Sequence, residues 1–168
     1  MNQSAGHQAA ISLRMAELGI VLPPPPAPIA NFLAARQVGE FLYLSGQGPR
    51  DTNGLLAVGK VGRSVSPDQA YQHARLTGLN LLAVAQAALG SLDRVGLVVK
   101  LLGMVNAADG FVDHPQVIDG CSDLLVEVFG EHIGRGARSS IGVHSLPDDQ
   151  TVEIEAIFAI KTGGRRGG

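Results

Sequence analysis

One stretch of this 168-residue chain carries both a start and a stop signal for a long helix. Ser66 is a favoured N-cap, Pro67 suits the first helical position, and Gln69 completes a capping box. Apolar residues then recur at helical spacing until Gly90, which is placed to end the helix. A helix of this length with one apolar face has to bury that face, so we expect it to lie on a sheet.

The rest of the chain predicts a second long helix and several strands. Leu97 to Met104 is an almost continuous apolar run, typical of a central strand that is covered on both faces. His114 to Gly130 has a helical apolar stripe, with Asp113 as the expected N-cap. The other predicted elements are a helix at Gly6–Leu18, a hairpin of strands Phe32–Val38 and Phe41–Ser45, and a C-terminal hairpin of strands Ser139–Ser145 and Thr151–Lys161. This order predicts an α+β fold, a mixed sheet with two long helices packed on one face.

Breaks in composition suggest the domain boundaries. Pro23 to Pro26 favours polyproline II, so residues 1–27 are interpreted as an N-terminal helix and a Pro-rich connector. Residues 28–162 form one predicted domain, and residues 163–168 a flexible Gly-rich tail.

Charge and hydropathy argue against several classes of function. A net charge of −2, a pI of about 6.2 and the absence of Trp disfavour nucleic acid as a partner. The longest apolar stretch, Leu79 to Leu89, is shorter than the roughly 18 residues of a membrane span. The first residues lack the pattern of a signal peptide, and the single cysteine excludes an intrachain disulfide, so we expect a cytoplasmic protein. The five histidines show no metal-ligand spacing, so no metal is expected.

The two C-terminal strands carry the candidate chemistry. Because side chains alternate along a strand, Glu153 and Glu155 share a face that becomes apolar further on. Arg138 enters the preceding strand between small residues, which leaves room for its planar fork to bind a carboxylate or phosphate. Glu153 could hold that fork or act as a base on water. The alternative is a plain cross-strand pair of Arg138 with Glu153, worth at most about 1 kcal/mol.

Several motifs, in the right order, resemble the RidA/YjgF family, the reactive-intermediate deaminases. The C-terminal signature is matched by Ala137-Arg138-Ser139-Ser140-Ile141-Gly142-Val143, Leu146-Pro147 and Val152-Glu153-Ile154-Glu155-Ala156. Further matches are Leu44-Ser45-Gly46-Gln47 and Ser91-Leu92-Asp93-Arg94-Val95. Asn31-Phe32 and Ser122-Asp123-Leu124-Leu125 resemble a branch whose members are often labelled endoribonucleases or translation inhibitors.

The resemblance implies a chorismate-mutase-like fold and a homotrimer with clefts between subunits. Characterised members of the family hydrolyse enamines and imines to a 2-oxo acid and ammonia, without a metal or cofactor. The family's substrate-carboxylate arginine falls on Arg138, and its water-positioning glutamate falls on Glu153. The serine of Ser45-Gly46-Gln47 lines the same cleft in the family.

Three positions depart from the family pattern. The family's tyrosine near the N-terminus is Phe32 here, which has no hydroxyl, and its cysteine two residues after the arginine is Ser140. Its cleft asparagine on the second long helix falls near Cys121 or Ser122. Ligand binding is therefore better supported than the family's best-known reaction.

These observations lead to one leading hypothesis and two alternatives. The leading hypothesis is a homotrimer without cofactor that binds a small carboxylate, a 2-imino or 2-oxo acid, through Arg138, with Glu153 positioning water. Ser45, Gly46, Phe32, Ser140 and Cys121 would line the same cleft. The alternatives are a non-catalytic trimeric metabolite-binding protein and an endoribonuclease, and the acidic pI speaks against the latter.

Overall fold

The computed structural model describes residues 10–161, which form one five-stranded sheet with helices. Its strands are β1 (Ala35–Val38), β2 (Phe41–Gln47), β3 (Val95–Asn106), β4 (Ala137–Val143) and β5 (Val152–Ile160). Its helices are α1 (Ala10–Glu17), α2 (Pro67–Leu89), α3 (His114–Phe129) and α4 (Glu131–Gly134), with short 3-10 turns at Leu92–Arg94 and Pro147–Asp149. The predicted start of α1 at Gly6 and the predicted tail at residues 163–168 lie outside the described residues. The α+β class and the mixed sheet are confirmed.

The local signals for the two long helices are largely confirmed. At the start of α2 the Gln69 backbone N–H donates to Ser66 Oγ (3.2 Å), and the Ser66 N–H donates to Gln69 Oε1 (2.9 Å). Gly90 ends this helix in the left-handed region, with φ of 78°. Helix α3 begins at His114 as predicted, but the expected cap at Asp113 is wrong. With ψ of 37°, the Asp113 backbone is not in the extended conformation of an N-cap, and its side chain makes no capping bond.

The strand order is β1-β2-β5-β3-β4, with β3 and β4 parallel and the other pairs antiparallel. The predicted C-terminal hairpin is therefore wrong, because β3 lies between β4 and β5. A central apolar strand of twelve residues needs hydrogen-bonding partners along both of its edges, and β4 and β5 supply one edge each. The connection also differs from a tight hairpin turn, since Asp148 and Asp149 both have left-handed φ values, of 55° and 56°.

Helices α2 and α3 cover one face of the sheet, as predicted. The alternate residues of β5 on that face, Val152, Ile154, Ala156, Phe158 and Ile160, are all buried. The two helices approach each other closely at two glycines. A Cβ on Gly120 would lie 2.0 Å from the Tyr71 carbonyl oxygen, and one on Gly78 would lie 3.2 Å from Cys121 Sγ. Arg75 joins the same helices through two hydrogen bonds to the Glu127 carboxylate, of 2.6 and 3.1 Å.

The opposite face of the sheet is not covered by helices and carries exposed apolar side chains. They are Phe41, Tyr43, Leu97 and Ile141, each more than two-fifths exposed. Side chains alternate between the two faces along β2, β3 and β4, which carry these residues. The residues adjacent to them in the sequence therefore point toward the helices. This surface is called the open face below.

Helix α1 packs on the domain at the far side from the open face. The Ile11 backbone N–H donates to Asp93 Oδ1 (3.0 Å), and Arg14 Nε donates to the Glu127 carbonyl (2.6 Å). Ile11 and Met15 pack against the core, so α1 belongs to the same folded unit. None of the helices between residues 10 and 161 is long and apolar enough to cross a membrane.

Candidate functional site

Glu153 lies on β5 and lines a cavity of about 640 Å³. Of the residues predicted for the site, Gly46 and Phe32 line the same cavity. The other walls come from the connector around Pro26 and Ile29 and from the turn that precedes β5. The structure therefore brings three of the predicted residues together at one end of the sheet.

A buried glutamine holds the carboxylate of Glu153. Gln150 Nε2 donates a hydrogen bond of 2.6 Å to Glu153 Oε2. Two glycines at the end of β2, Gly46 within the strand and Gly48 just after it, make room for this pair. A Cβ on Gly46 would lie 2.2 Å from Glu153 Oε1, and one on Gly48 would lie 2.0 Å from Gln150 Oε1. The room that these two side chains need explains both glycines of the Gly46-Gln47-Gly48 sequence.

The surroundings of Glu153 shift its acidity. Burial raises its pKa, the hydrogen bond from Gln150 lowers it, and the neighbouring Glu155 raises it, with a net rise. A carboxyl group whose pKa is raised toward neutrality is a stronger general base than an ordinary surface glutamate. Arg50 lines the same cavity and supplies a positive charge to it. Asp148 lines the cavity as well, so its charged lining side chains are one cationic and two acidic groups. This arrangement can take a proton from water.

Arg138 lies in a second cavity, of about 510 Å³, between α3, α4 and β4. Its Nη1 donates to Asp119 Oδ1 (2.7 Å) and to Ser122 Oγ (3.0 Å), both on α3. The side chain is 23% exposed, so the guanidinium is partly shielded but can still be reached. Within the described residues the hydrogen bonds of Arg138 all use Nη1, so Nε and Nη2 have no hydrogen-bond partner there.

Arg138 and Glu153 lie on opposite faces of the sheet. Arg138 is opposite Leu101 in the β3–β4 register and points to α3, whereas Glu153 is opposite Met104 in the β3–β5 register. Since a Cβ on Gly103 would touch Ile118 of α3, its neighbour Met104 points to the open face. The predicted cross-strand pair of Arg138 with Glu153 is therefore wrong, and one chain does not bring both groups to a single small ligand.

Three further predicted residues occupy different surroundings. Ser45 Oγ donates to the Leu33 carbonyl (2.6 Å) and lines a separate cavity of about 250 Å³. Ser140 follows Arg138 on the same face of β4, and its hydroxyl is buried without a hydrogen-bond partner among the described residues. Cys121 is fully buried in the core, and burial raises the pKa of its thiol to about 12.

The expectation that Cys121 contacts a ligand is therefore corrected. Neighbouring residues of a helix point about 100° apart, so the residue that follows Cys121 faces the cavity while Cys121 faces the core. That residue is Ser122, which bonds to Arg138 and lines its cavity.

Sequence reasoning missed Asp119 and Gln150. Asp119 and Ser122 are three residues apart, a spacing that places both on one face of α3, and this signal was available once Arg138 was known to lie over that helix. Gln150 precedes β5 in an irregular turn, where neither strand nor helix periodicity indicates a direction. Among residues 10–161 no group of three His, Cys, Asp or Glu side chains is close enough to hold a metal ion.

Comparison with known proteins identifies the family. The family model described as "YjgF/chorismate mutase-like, putative endoribonuclease" matches residues 12–154. The chain belongs to the RidA/YjgF family. Its relatives within that family include Protein TCP17 of Trypanosoma cruzi, 39% identical over 150 residues, which cover 89% of this chain and 94% of the relative. Another is the 2-iminobutanoate/2-iminopropanoate deaminase of Dermatophagoides farinae, 32% identical over 143 residues, which cover 84% and 95% of the two chains.

A solved structure extends the likeness to the whole RidA/YjgF fold. The crystal structure of the protein Atu1372 from Agrobacterium tumefaciens has a TM-score of 0.84 and 39% sequence identity to this chain. The match covers 94% of this chain and 97% of that one, so it includes the connector and most of the described part of α1 as well as the sheet.

Proposed function

We propose that this protein binds a small 2-imino acid and hydrolyses it to a 2-oxo acid and ammonia. The observation that carries the proposal is the carboxylate of Glu153, held by Gln150 in a cavity and raised in pKa by burial. The deaminase of Dermatophagoides farinae, at 32% identity, supports the reaction class. The cytoplasmic location and the domain boundaries remain predictions from the sequence.

Arg138 and Glu153 have separate roles in the proposed hydrolysis. Arg138 offers its Nε–Nη2 edge to the ligand carboxylate, because Nη1 is already engaged. Glu153 accepts a proton from water through Oε1 while Oε2 stays bonded to Gln150. The water oxygen forms a bond to the imine carbon, and the proton taken by Glu153 passes to the nitrogen. The hydroxyl of the resulting carbinolamine then gives up its proton to the nitrogen and becomes the carbonyl as the carbon–nitrogen single bond breaks, so the nitrogen leaves as ammonia. No oxidant or reductant is needed, since water and the imine supply every atom.

The proposed site is shared between two subunits. In one chain Arg138 and Glu153 lie on opposite faces of the sheet, so a ligand that meets both needs each from a different copy. The open face, with Phe41, Tyr43 and Ile141 exposed, offers an apolar surface for such an assembly. The family resemblance makes the expected assembly a homotrimer.

A non-catalytic binding protein is the second candidate. Phe32 lines the cavity of Glu153 without a hydroxyl, and Arg138 is already paired with Asp119. If the protein is a non-catalytic binding protein, calorimetry with the wild type would show binding of 2-oxo acids, and assays would show no turnover of imino acids. Nuclease activity is disfavoured by the net charge of −2.

Complementation between two variants tests the shared site. Both variants are expected to be nearly inactive alone in hydrolysis of 2-aminoacrylate. Glu153→Gln should lose 10²-fold or more, a typical general-base effect, and Arg138→Ala should lose more than tenfold because it no longer binds the substrate carboxylate. When the two are unfolded together and refolded, random assembly into a cyclic trimer restores about a quarter of the sites. Sedimentation equilibrium checks that the mixture is trimeric. Recovery of no activity in a trimeric mixture would mean that the two residues do not share a site across subunits.

A further inference from the structure

One wall of the Glu153 cavity is entirely apolar. It is formed by residues 26–34, called the apolar wall below, and the seven residues of this segment that line the cavity are all Pro, Ala, Ile or Phe. The two largest are Ile29, which is 89% exposed, and Phe32, which is 47% exposed. Because the rest of the described chain leaves both side chains so open, their apolar surface is available to a molecule that enters the cavity.

The charged groups of the cavity belong to other segments of the chain. Among the described residues that line it, Arg50 is the only cationic one, whereas Asp148 and Glu153 are acidic. Arg50 Nη1 also donates to the Gly54 carbonyl oxygen (3.2 Å), which engages part of its guanidinium. A second negative group on a ligand would therefore meet more negative than positive charge in this cavity.

The apolar wall is held in place before a ligand arrives. Ser45 of β2 binds its far end twice, because its Oγ donates to the Leu33 carbonyl (2.6 Å) and its backbone N–H donates to the Ala34 carbonyl (2.9 Å). The four prolines at residues 23–26 restrict the backbone where the chain enters the wall. A surface fixed in this way loses little conformational entropy when a ligand packs against it.

The cavity is much larger than a three-carbon imino acid requires. It measures about 640 Å³, whereas such a molecule takes up about as much space as three water molecules, roughly 90 Å³. The imine carbon of a 2-imino acid carries a carboxylate, a nitrogen and a side chain. In the proposed function the carboxylate binds Arg138 of another copy and Glu153 supplies the water. The side chain is then the part of the ligand left to fill the space beside the apolar wall.

We propose that the apolar wall makes this site selective for 2-imino acids with an apolar side chain larger than methyl, over three-carbon and dicarboxylic ones. The inference rests on the proposed function, in which the ligand reacts beside Glu153. Phe32 agrees with this class of substrate, since a ring without a hydroxyl offers only apolar contact. Each CH₂ group that the ligand buries against the wall should strengthen binding about fourfold.

Calorimetry with three 2-oxo acids tests the selectivity, since they share the carboxylate and carbonyl and differ in the side chain. Wild-type protein is expected to bind 4-methyl-2-oxopentanoate more than tenfold more tightly than pyruvate, and to bind 2-oxoglutarate no more tightly than pyruvate. Ile29→Asn removes apolar surface from the wall at an exposed position, so it should reduce the preference for 4-methyl-2-oxopentanoate over pyruvate about fourfold or more. Leu13→Asn is the matched control, because Leu13 is 62% exposed on α1 and does not line the cavity, and it should keep the wild-type ratio.

Circular dichroism and sedimentation equilibrium check that each variant keeps the fold and the assembly of the wild type. If wild type binds pyruvate or 2-oxoglutarate at least as tightly as 4-methyl-2-oxopentanoate, the selectivity is wrong while the proposed carboxylate binding stands. An intact Ile29→Asn variant with the wild-type ratio would also overturn the role of the wall, and a variant that dissociates would make Ile29 an interface residue instead. Wild type that binds none of the three acids would overturn the proposed function and this inference with it.

Discussion

Gln150 and Glu153 are joined by a hydrogen bond of 2.6 Å from the amide Nε2 to the carboxylate Oε2. Gln150 is only 8% exposed, and the missing side chains of Gly46 and Gly48 leave the space in which both groups lie. The orientation of Glu153 is therefore set within the fold before any ligand arrives. A carboxylate held in this way has one oxygen left for chemistry.

Replacing Gln150 should change both the rate and its pH dependence. Gln150→Leu removes the hydrogen bond that lowers the pKa of Glu153, so the acid limb of the kcat/KM profile should move to higher pH. Loss of positioning should reduce kcat by about tenfold to 100-fold, with a smaller effect on KM. Gln37→Leu, at an exposed position on β1, is the control and should leave the profile in place. A Gln150→Leu profile that overlays the wild-type curve would show that the hydrogen bond has no influence on the base.

The negative charge of Glu153 should lower the free energy of unfolding at neutral pH. Burial raises its pKa in the folded state above that in the unfolded chain, so ionisation is penalised in the folded state only. That penalty is absent below the unfolded-state pKa, grows as the pH rises, and is complete above the folded-state pKa. Glu153→Gln should therefore melt at a higher temperature than wild type at about pH 8, and the difference should vanish near about pH 4. Thermal melts by circular dichroism at several pH values measure this, and a variant that is less stable at pH 8 would contradict it.

Gly46→Ala should disable Glu153 without unfolding the protein. The added methyl group would lie 2.2 Å from Glu153 Oε1, so the carboxylate has to move. A displacement of this size should reduce hydrolysis about 100-fold. Gly96→Ala is a matched change at a strand glycine whose Cβ would meet its nearest atom at 3.4 Å, an ordinary contact, and activity should survive it. Equal activity in the two variants would mean that Glu153 is free to adjust.

Arg138→Ala should weaken ligand binding and leave the free energy of unfolding almost unchanged. The Arg138–Asp119 pair is partly exposed, so its loss should change the free energy of unfolding by less than about 1 kcal/mol. Affinity for a carboxylate ligand should fall more than tenfold, because a fork-shaped partner for the carboxylate is lost. Urea unfolding and calorimetry measure the two effects on the same preparation. A large loss of stability with unchanged affinity would identify Arg138 as a structural residue.

Cys121 should resist thiol reagents in the native protein. Its thiol is fully buried, and with a pKa of about 12 it is almost entirely protonated at about pH 8. Labelling by a disulfide reagent should therefore follow unfolding of the domain, and should be rapid in denaturant. Fast labelling of the folded protein would place the thiol at an accessible surface and revive it as a ligand contact.

Local signals in the sequence predicted local structure well. The capping box at Ser66 and the terminating Gly90 act within a few residues, so they predicted the ends of α2. Alternation along β5 predicted which side chains share a face, because the period of a strand does not depend on its partners.

Relationships between distant segments could not be derived in the same way. Strand pairing is a property of the whole sheet. Because β4 and β5 are adjacent in the sequence, we predicted that they pair with each other, whereas each of them pairs with β3. The contact of Arg138 with Asp119 depends on where α3 crosses β4, which no spacing within either segment reveals. The sequence left the cleft position on α3 open between Cys121 and Ser122. Neighbouring helix residues face different surroundings, and the structure places Cys121 in the core and Ser122 at the cavity.

The position of β5 in the sheet also determines how the protein can fold during translation. This strand is the last in the described chain, yet it lies in the middle of the sheet and is the element that joins β2 to β3. While the ribosome still holds residues 152–160, the nascent chain can form only two separate half-sheets, each with an unpaired strand edge. The sheet therefore closes only after β5 has left the ribosome, and a nascent chain stalled before β5 would expose both edges to aggregation and to chaperones.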